Sequence, residues 1–284
     1  MREMDIGQLY ETADRLRMDV IEMIGVGTAG HLGGSVSLAE IVAALYFRIM
    51  RFDARRLGDP ERDRFILSKG HGVLIQYAAL VESGVIPREE MARTKSLEGI
   101  LQGHPDMKHT PGIEAVTGSL GQGLSIGVGM ALAARLDKRK SRIYVIMGDG
   151  ELAEGQIWEA AMAASAFRLD NIVGVVDRNG IQSSGRTSEV FDISGLEEKW
   201  KSFGWSTHTI DGHDMRQILR AFGAAEETRG QPTIIIADTV KGKGISFAEN
   251  SAAFHNASLT KEQKESAMKE LKSALRRDEV LRGE

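Results

Sequence analysis

Two apolar runs, RIYVIMGDG at 142–150 and NIVGVVDRN at 171–179, enclose a stretch of helical character, and this arrangement limits the fold more than any other feature. Neither run alternates apolar with polar residues, so each reads as a strand buried on both faces. A third such run, TIIIADTV, occupies 233–240, and helical patterns at 154–168 and 214–226 separate the three. Buried strands alternating with helices give a parallel sheet flanked by helices on both faces. The expected fold class is α/β.

In a strand–helix–strand unit the crossover is right-handed and both strands point the same way. Residues just past the two carboxyl ends therefore become neighbours. Asp149 lies just past the first strand and Asn179 just past the second. The helix between them offers Ile157, Ala160, Ala161 and Ala164 to the sheet. The two oxygen-bearing side chains thus converge at the edge where open α/β sheets bind ligands. Adjacent glycines let a large ligand approach the backbone. Carboxylate and amide oxygens are hard donors, and in a chain without cysteine they suit magnesium or calcium better than zinc. Magnesium keeps few protein ligands and completes its octahedron with phosphate oxygens and water. The pair therefore reads as a site for a magnesium–diphosphate ligand. GDG or Asn-Gly alone would be only a turn; together, at crossover spacing, they favour the site.

The remaining pattern is consistent with one domain over 1–284, ending in a helical tail at about 258–284. A helix is expected over 8–24. An S-L-A-E capping box at Ser37 is expected to open a helix running to Met50. RFILS is a short strand, 74–83 a helix, and 84–118 mostly irregular. In the helix expected at 121–138, Gly123, Gly127 and Ala131 make a stripe on which another backbone can rest. T-K-E-Q at Thr260 is a second capping box. It opens a charged helix whose narrow stripe, Met268, Leu271 and Leu275, suits either its own domain or a partner. GVGTAG at 25–30 fits a dinucleotide fingerprint, but a helical pattern rather than a strand precedes it, so it is discounted.

Charge is balanced, with 36 basic and 40 acidic side chains, and nothing suggests a nucleic-acid face. Without cysteine, disulfides and thiolate zinc sites are excluded. The amino terminus is charged throughout, and no uncharged apolar run reaches the length of a membrane span. The expectation is a cytoplasmic protein with no membrane or nucleic-acid partner.

GDG followed about thirty residues later by Asn resembles the thiamine diphosphate signature, and GDGELAEGQIWEA resembles the version in transketolases. GHLGGSVS, LSKGHG, GHPD, GSLGQG, DGHD and KGKGISFAENSAAFHNASL agree with that family in the same order. The likeness covers nearly the whole chain but only half of a transketolase. The chain thus resembles the N-terminal, diphosphate-binding (PP-type) subunit of a split transketolase.

That resemblance implies a cofactor, thiamine diphosphate, with Mg2+ (Ca2+ or Mn2+ as substitutes) held by Asp149, the Asn179 side chain and the Ile181 carbonyl. It implies that Gly150 packs on the diphosphate, that Glu151 belongs to the cofactor-binding run, and that Gly118, Ser119 and Leu120 contact the cofactor. Ser119 replaces a proline of many relatives. His71 and His255 would lie near the cofactor, while His31, His104 and His255 would face the sugar, with His104 and His255 as proton shuttles. Imidazole suits that work because it exchanges a proton near neutral pH. Glu154 would stand at a subunit boundary, close enough to its symmetry mate to share a proton. His109 and His208 match nothing, and His213 reads as structural.

The implied reaction moves a two-carbon ketol unit from a ketose phosphate to an aldose phosphate, as in the pentose phosphate pathway. It would require a partner carrying the pyrimidine-binding and C-terminal domains, in a two-plus-two heterotetramer; the glutamate that activates the cofactor belongs to that half. Alternatives are a ketol transferase for a modified sugar, a carboligase like deoxyxylulose-phosphate synthase, or a non-catalytic scaffold. KGKG with FAEN and FHNASL favours the transketolase side.

Overall fold

A computed structural model describes residues 4–282. Its strands, in chain order, are β1 (Arg64–Leu67), β2 (Ile143–Gly148), β3 (Ile172–Arg178), the short antiparallel pair β4 (Ile181–Gln182) and β5 (Gly185–Arg186), β6 (Ser206–Asp211) and β7 (Thr233–Asp238). Five of them form one parallel sheet in the order β1-β2-β3-β7-β6. Gly148 is level with Asp177, and Asp177 with Ala237, so the carboxyl ends of the three central strands finish together.

The helices are α1 (Ile6–Met23), α2 (Leu32–Val36), α3 (Ala39–Ala44), α4 (Val73–Glu82), α5 (Gln122–Leu136), α6 (Gly155–Ala166), α7 (Thr187–Val190), α8 (Leu196–Ser202), α9 (Met215–Glu227) and α10 (Lys261–Arg282). Alternation along the strands divides the interior into two apolar clusters. Tyr144 and Ile146 of β2 turn towards α1, α3, α4 and α9. Ile143, Val145 and Met147 turn towards α5, α6 and α8. Helices therefore cover both faces, as the unbroken apolar runs required. No described helix is long and apolar enough to cross a membrane.

The stripe on α5 does what its small residues suggest. A Cβ on Gly123 would lie 2.4 Å from Ser68 Cβ, and one on Gly127 2.6 Å from Val145 Cγ2. The helix rests directly on β1 and β2. Gly123→Ala is expected to cost about 2–3 kcal/mol, because the clash falls against Ser68 Cβ and Cα, which move only with the backbone, as well as against its Oγ. Thermal unfolding followed by circular dichroism would show a melting point several degrees lower.

Three local expectations change. First, α1 begins at Ile6, because Asp5 and Gln8 form a capping box that the helical period does not reveal. Second, Ser37 does not cap. Its hydroxyl donates to Asp177 Oδ2 at 2.9 Å, α3 starts at Ala39, and the chain continues as a wider π-type turn over Leu45–Ile49. A fully buried carboxylate needs donors more than a helix end does. Third, β6 has no strand signature in the sequence, because STHTID carries polar residues at most positions. It is the sheet's edge and only partly buried.

The Thr260 box forms, with Thr260 N donating to Gln263 Oε1 and Gln263 N to Thr260 Oγ1. The stripe it introduces packs on the chain's own domain: Leu271 is buried, Met268 lies against the core, and α10 runs along α1. GVGTAG follows α1 rather than a strand. DGHD is a turn in which His213 accepts the Val240 N–H at Nε2 (2.9 Å), leaving Nδ1–H to reach Glu40 (3.1 Å). His109 pairs with Asp106 on the surface.

Candidate active site

The level ends of β2 and β3 bring the two expected oxygen donors to one loop. Asp149 N donates to the Asp177 carbonyl. The Asp149 carboxylate then accepts Gly150 N at 2.8 Å and Gly180 N at 2.6 Å. Gly180 has φ +74°, the left-handed conformation that turns its N–H back towards Asp149. Asn179 Oδ1 accepts Ile181 N at 3.1 Å, and its amide donates to Asp177 at 3.0 Å. The Ile181 carbonyl, the third expected ligand, accepts the Lys241 ammonium at 2.7 Å, so this oxygen already faces a cation. Burial, followed by the charge of Asp177, pushes the Asp149 carboxyl up.

Sequence reasoning did not find Asp177, Lys69 or Lys241. Asp177 is fully buried and accepts from Lys69, Thr239, Ser37 and Asn179. Burial alone would raise its carboxyl; the Lys69 charge and these donors outweigh it and hold it below the usual range. Lys69 also donates to the Gly34 carbonyl at 2.6 Å. Burial and the nearby Lys69 bring Lys241 down to about 8. A lysine set in each of two glycine loops, SKGHG and KGKG, was the available signal.

Glu151 reaches the cavity wall, but its carboxylate holds the surrounding loops. It accepts from Ser68 Oγ, from Gly121 N at 2.9 Å and from Gly148 N at 3.0 Å. Burial pushes this carboxyl up.

Four histidines gather above these strand ends. His31 begins α2, His71 sits in the turn after β1, His104 in GHPD, and His255 after the turn Ala252–Phe254. Ring centres are 5.2 Å apart for His31 and His71, 5.5 Å for His31 and His255, 5.0 Å for His71 and His255, and 6.0 Å for His31 and His104. Burial, then Lys95, lowers His31 to about 4. Burial, then Lys241, lowers His255 to about 4. Burial also lowers His71 and His104. All four rings are neutral at pH 7. Lys241 Nζ lies 2.9 Å from His255 Nδ1; an ammonium has only protons to offer, so Nδ1 accepts and Nε2 carries the ring proton.

These groups enclose a cavity of about 300 Å3 whose wall includes His31, His71, His255, Asp149, Gly150 and Asn179, with Gly118 and Leu120. His104 stands at the rim against Gly118. Ser119 is exposed and outside the wall. Glu154 is exposed at the start of α6, its Cβ against Gly121, also outside the wall.

The lowered histidine pKa values make stability depend on pH with a definite sign. A base whose folded pKa is lowered leaves the unfolded chain with more bound protons between the two values. Stability is therefore complete above about pH 6.5 and is lost as pH falls towards 4. Discounted for their partial exposure, His31 and His255 contribute about 1 kcal/mol each. Melting temperatures between pH 7 and 4 should fall through this window, and less steeply in a His31→Gln/His255→Gln variant.

Residues 9–277 match the family described as transketolase, thiamine diphosphate binding domain. A 6-deoxy-6-sulfo-D-fructose transketolase subunit of Clostridium sp. (strain MSTE9) is 46% identical over 263 residues, 93% of this chain and 96% of that one. A subunit of the apulose-4-phosphate transketolase of Phocaeicola vulgatus is 42% identical over 268 residues, 94% of this chain and 95% of that one. Among solved structures, the transketolase of Campylobacter jejuni superposes with a TM-score of 0.89 at 30% identity. That match covers 95% of this chain but only 43% of that one.

Proposed function

The chain belongs to the transketolase family, as a thiamine diphosphate-binding subunit, and from that membership we propose that it holds the diphosphate through magnesium and works with a second polypeptide to move a two-carbon ketol unit between sugars. The observation that carries the reading is the meeting of Asp149 with Asn179, Gly180 and Ile181 beneath the histidine cluster.

The donors fit such a group. One carboxylate, one amide oxygen and one carbonyl are a hard set with room left for phosphate oxygens. A bare diphosphate would be repelled by the Asp149 carboxylate, and a divalent cation between them supplies the missing charge. Lys241 adds a further positive charge to the wall. Among the described residues no cluster of three or more His, Cys, Asp and Glu offers a rival metal site.

Thiamine diphosphate, when bound, supplies the electron sink for breaking a carbon–carbon bond beside a carbonyl. This chain supplies positions and proton transfers. The bond that breaks lies beside a hydroxyl, whose proton must leave and later return. A neutral imidazole can take it. His255 already uses Nδ1 to accept from Lys241, so its other nitrogen only donates, which suits holding a sugar oxygen. His104 at the rim and His31 within retain an acceptor nitrogen. This division favours His104 as the shuttle.

The relatives of 46% and 42% identity are named for 6-deoxy-6-sulfofructose and apulose 4-phosphate. Their likeness supports a modified sugar over the pentose phosphates as the substrate. Both are called subunits, which supports a partner, and Glu154, exposed beside the cavity, fits a boundary in a two-plus-two assembly.

The test is calorimetric titration of thiamine diphosphate and Mg2+ into the chain with its partner, followed by ketol-transfer assays over modified and ordinary sugars. Saturable uptake and transfer are expected only from the pair. Absence of cofactor uptake by the pair, or turnover by the purified chain alone, overturns the reading.

A further inference from the structure

At the opposite edge of the sheet lies a second cavity of about 600 Å3, twice the volume of the first. Its wall is built from the amino end of β2, the turn after α3 and the side of α9 that carries Leu219, Phe222, Gly223 and Glu226. From Tyr144, which lines it, to Asp149 is roughly 16 Å along the strand direction, so the two cavities do not share residues.

The wall is basic although the chain as a whole carries −4. Arg51, Lys140, Arg142 and Arg229 face Asp63 and Glu226. Arg51 is paired with Asp63 at 2.8 Å. Among the described residues the Arg142 guanidinium donates only to carbonyls, those of Ala225 and Glu226 at 3.2 and 2.8 Å and that of Asp170 at 3.4 Å, while its backbone N–H donates to Asp63. Arg229 likewise donates to the carbonyls of Glu226 and Thr228. Carbonyl dipoles fix the two guanidinium groups without cancelling their charge. The Lys140 ammonium has no partner among the described residues.

Two further observations point to an occupant. Tyr144 is 4% exposed, and its ring packs edge-on against Phe222, but its hydroxyl makes no hydrogen bond among the described residues. The hydroxyl is not among the sealed, unpartnered polar atoms of the described residues; it faces the cavity as a donor free for a ligand. Burial and the charge of Asp63 push this phenol up, so it remains a proton donor. Gly223 sits inside α9, where glycine costs about 1 kcal/mol relative to alanine. A Cβ there would meet nothing within 4 Å, so packing does not demand it; its absence keeps the cavity open.

We propose that this cavity binds a small organic phosphate, its anionic oxygens held by Lys140, Arg142, Arg229 and the Tyr144 hydroxyl and its organic part lying against Phe222 and Leu219. Three cations without ion-pair partners and one neutral donor match a dianion better than a single carboxylate. The volume exceeds what a bare phosphate fills.

The experiment is calorimetry on the full chain at 0.1 M salt with inorganic phosphate, a hexose monophosphate and a nucleoside monophosphate as probes. One of the organic phosphates is expected to bind saturably and more tightly than inorganic phosphate. Gly223→Glu places a tethered carboxylate in the cavity at a helix position with free space, and should weaken binding at least tenfold without lowering the melting temperature. Lys140→Ala should weaken it three- to tenfold. Asp149→Asn, which impairs the cofactor cavity, should leave it unchanged, so the two sites are told apart. Binding that survives Gly223→Glu but disappears in Asp149→Asn would assign the anion to the cofactor cavity and overturn the proposal. Equal affinity for inorganic phosphate, or no saturable binding of any probe, would also overturn it.

Discussion

Replacing Lys69 by methionine is expected to lower the unfolding free energy by about 3–5 kcal/mol, a large share of the 5–15 kcal/mol typical of a folded domain. The reason is Asp177, whose side chain is completely inaccessible. Lys69 is the cation bonded to it; Ser37, Thr239 and Asn179 are neutral donors. Methionine keeps the stem's volume but leaves a carboxylate buried without a counter-charge. Asp149 stands close enough to feel that charge, so the loss also strains the candidate site. In the variant Asp177 can escape only by taking a proton, so its folded pKa rises above the unfolded value. Such a group stabilises below the unfolded pKa and loses that contribution as pH rises through the folded one. The deficit should therefore be smaller at pH 5 than at pH 8. Urea unfolding at the two values measures it. Adding Asp177→Leu to Lys69→Met should restore part of the loss, because a buried pair can be exchanged for apolar groups at little net cost. A deficit under 1 kcal/mol at pH 8 would mean that the pair is not a closed ion pair.

The legible and illegible parts of this molecule divide by the range of the interactions. Asp149 and Asn179 could be paired from the sequence because one crossover connects them, and its handedness leaves their strands little freedom. The α5 stripe was legible because helical period places Gly123 and Gly127 on one line. Asp177 was not, since its donors come from positions 37, 69, 179 and 239, which only the finished fold assembles. Ser37 shows the competition directly: its local pattern spells a cap, yet the distant carboxylate takes the hydroxyl. β6 escaped notice because an edge strand need not be apolar. The histidines have no period at all; His31, His71 and His104 beside glycines and His255 without one were identified only through the family resemblance, and it is the 5–6 Å ring spacings that make them a cluster.

Asp149→Asn is expected to weaken magnesium-dependent binding of thiamine diphosphate by the subunit pair at least 100-fold while leaving the fold nearly intact. The separation of the two effects follows from the geometry. An amide oxygen can still accept from Gly150 or Gly180, but the amide NH2 then confronts the other N–H, which costs about 1 kcal/mol. Against that, removing a charge that burial and Asp177 already disfavour is stabilising, and the two contributions roughly cancel. Binding has no such compensation. The anionic oxygen that would balance a divalent cation is gone, and changes even in the groups that only support a metal ligand cost 10- to 100-fold. The measurement is calorimetry of the cofactor at several Mg2+ concentrations. Chelating the metal from the unaltered pair should produce a loss of the same size, and chelation should add little in the variant, because both operations remove one interaction. If the variant binds as tightly as the parent, or if chelation weakens the variant as much as the parent, Asp149 is not what holds the ion.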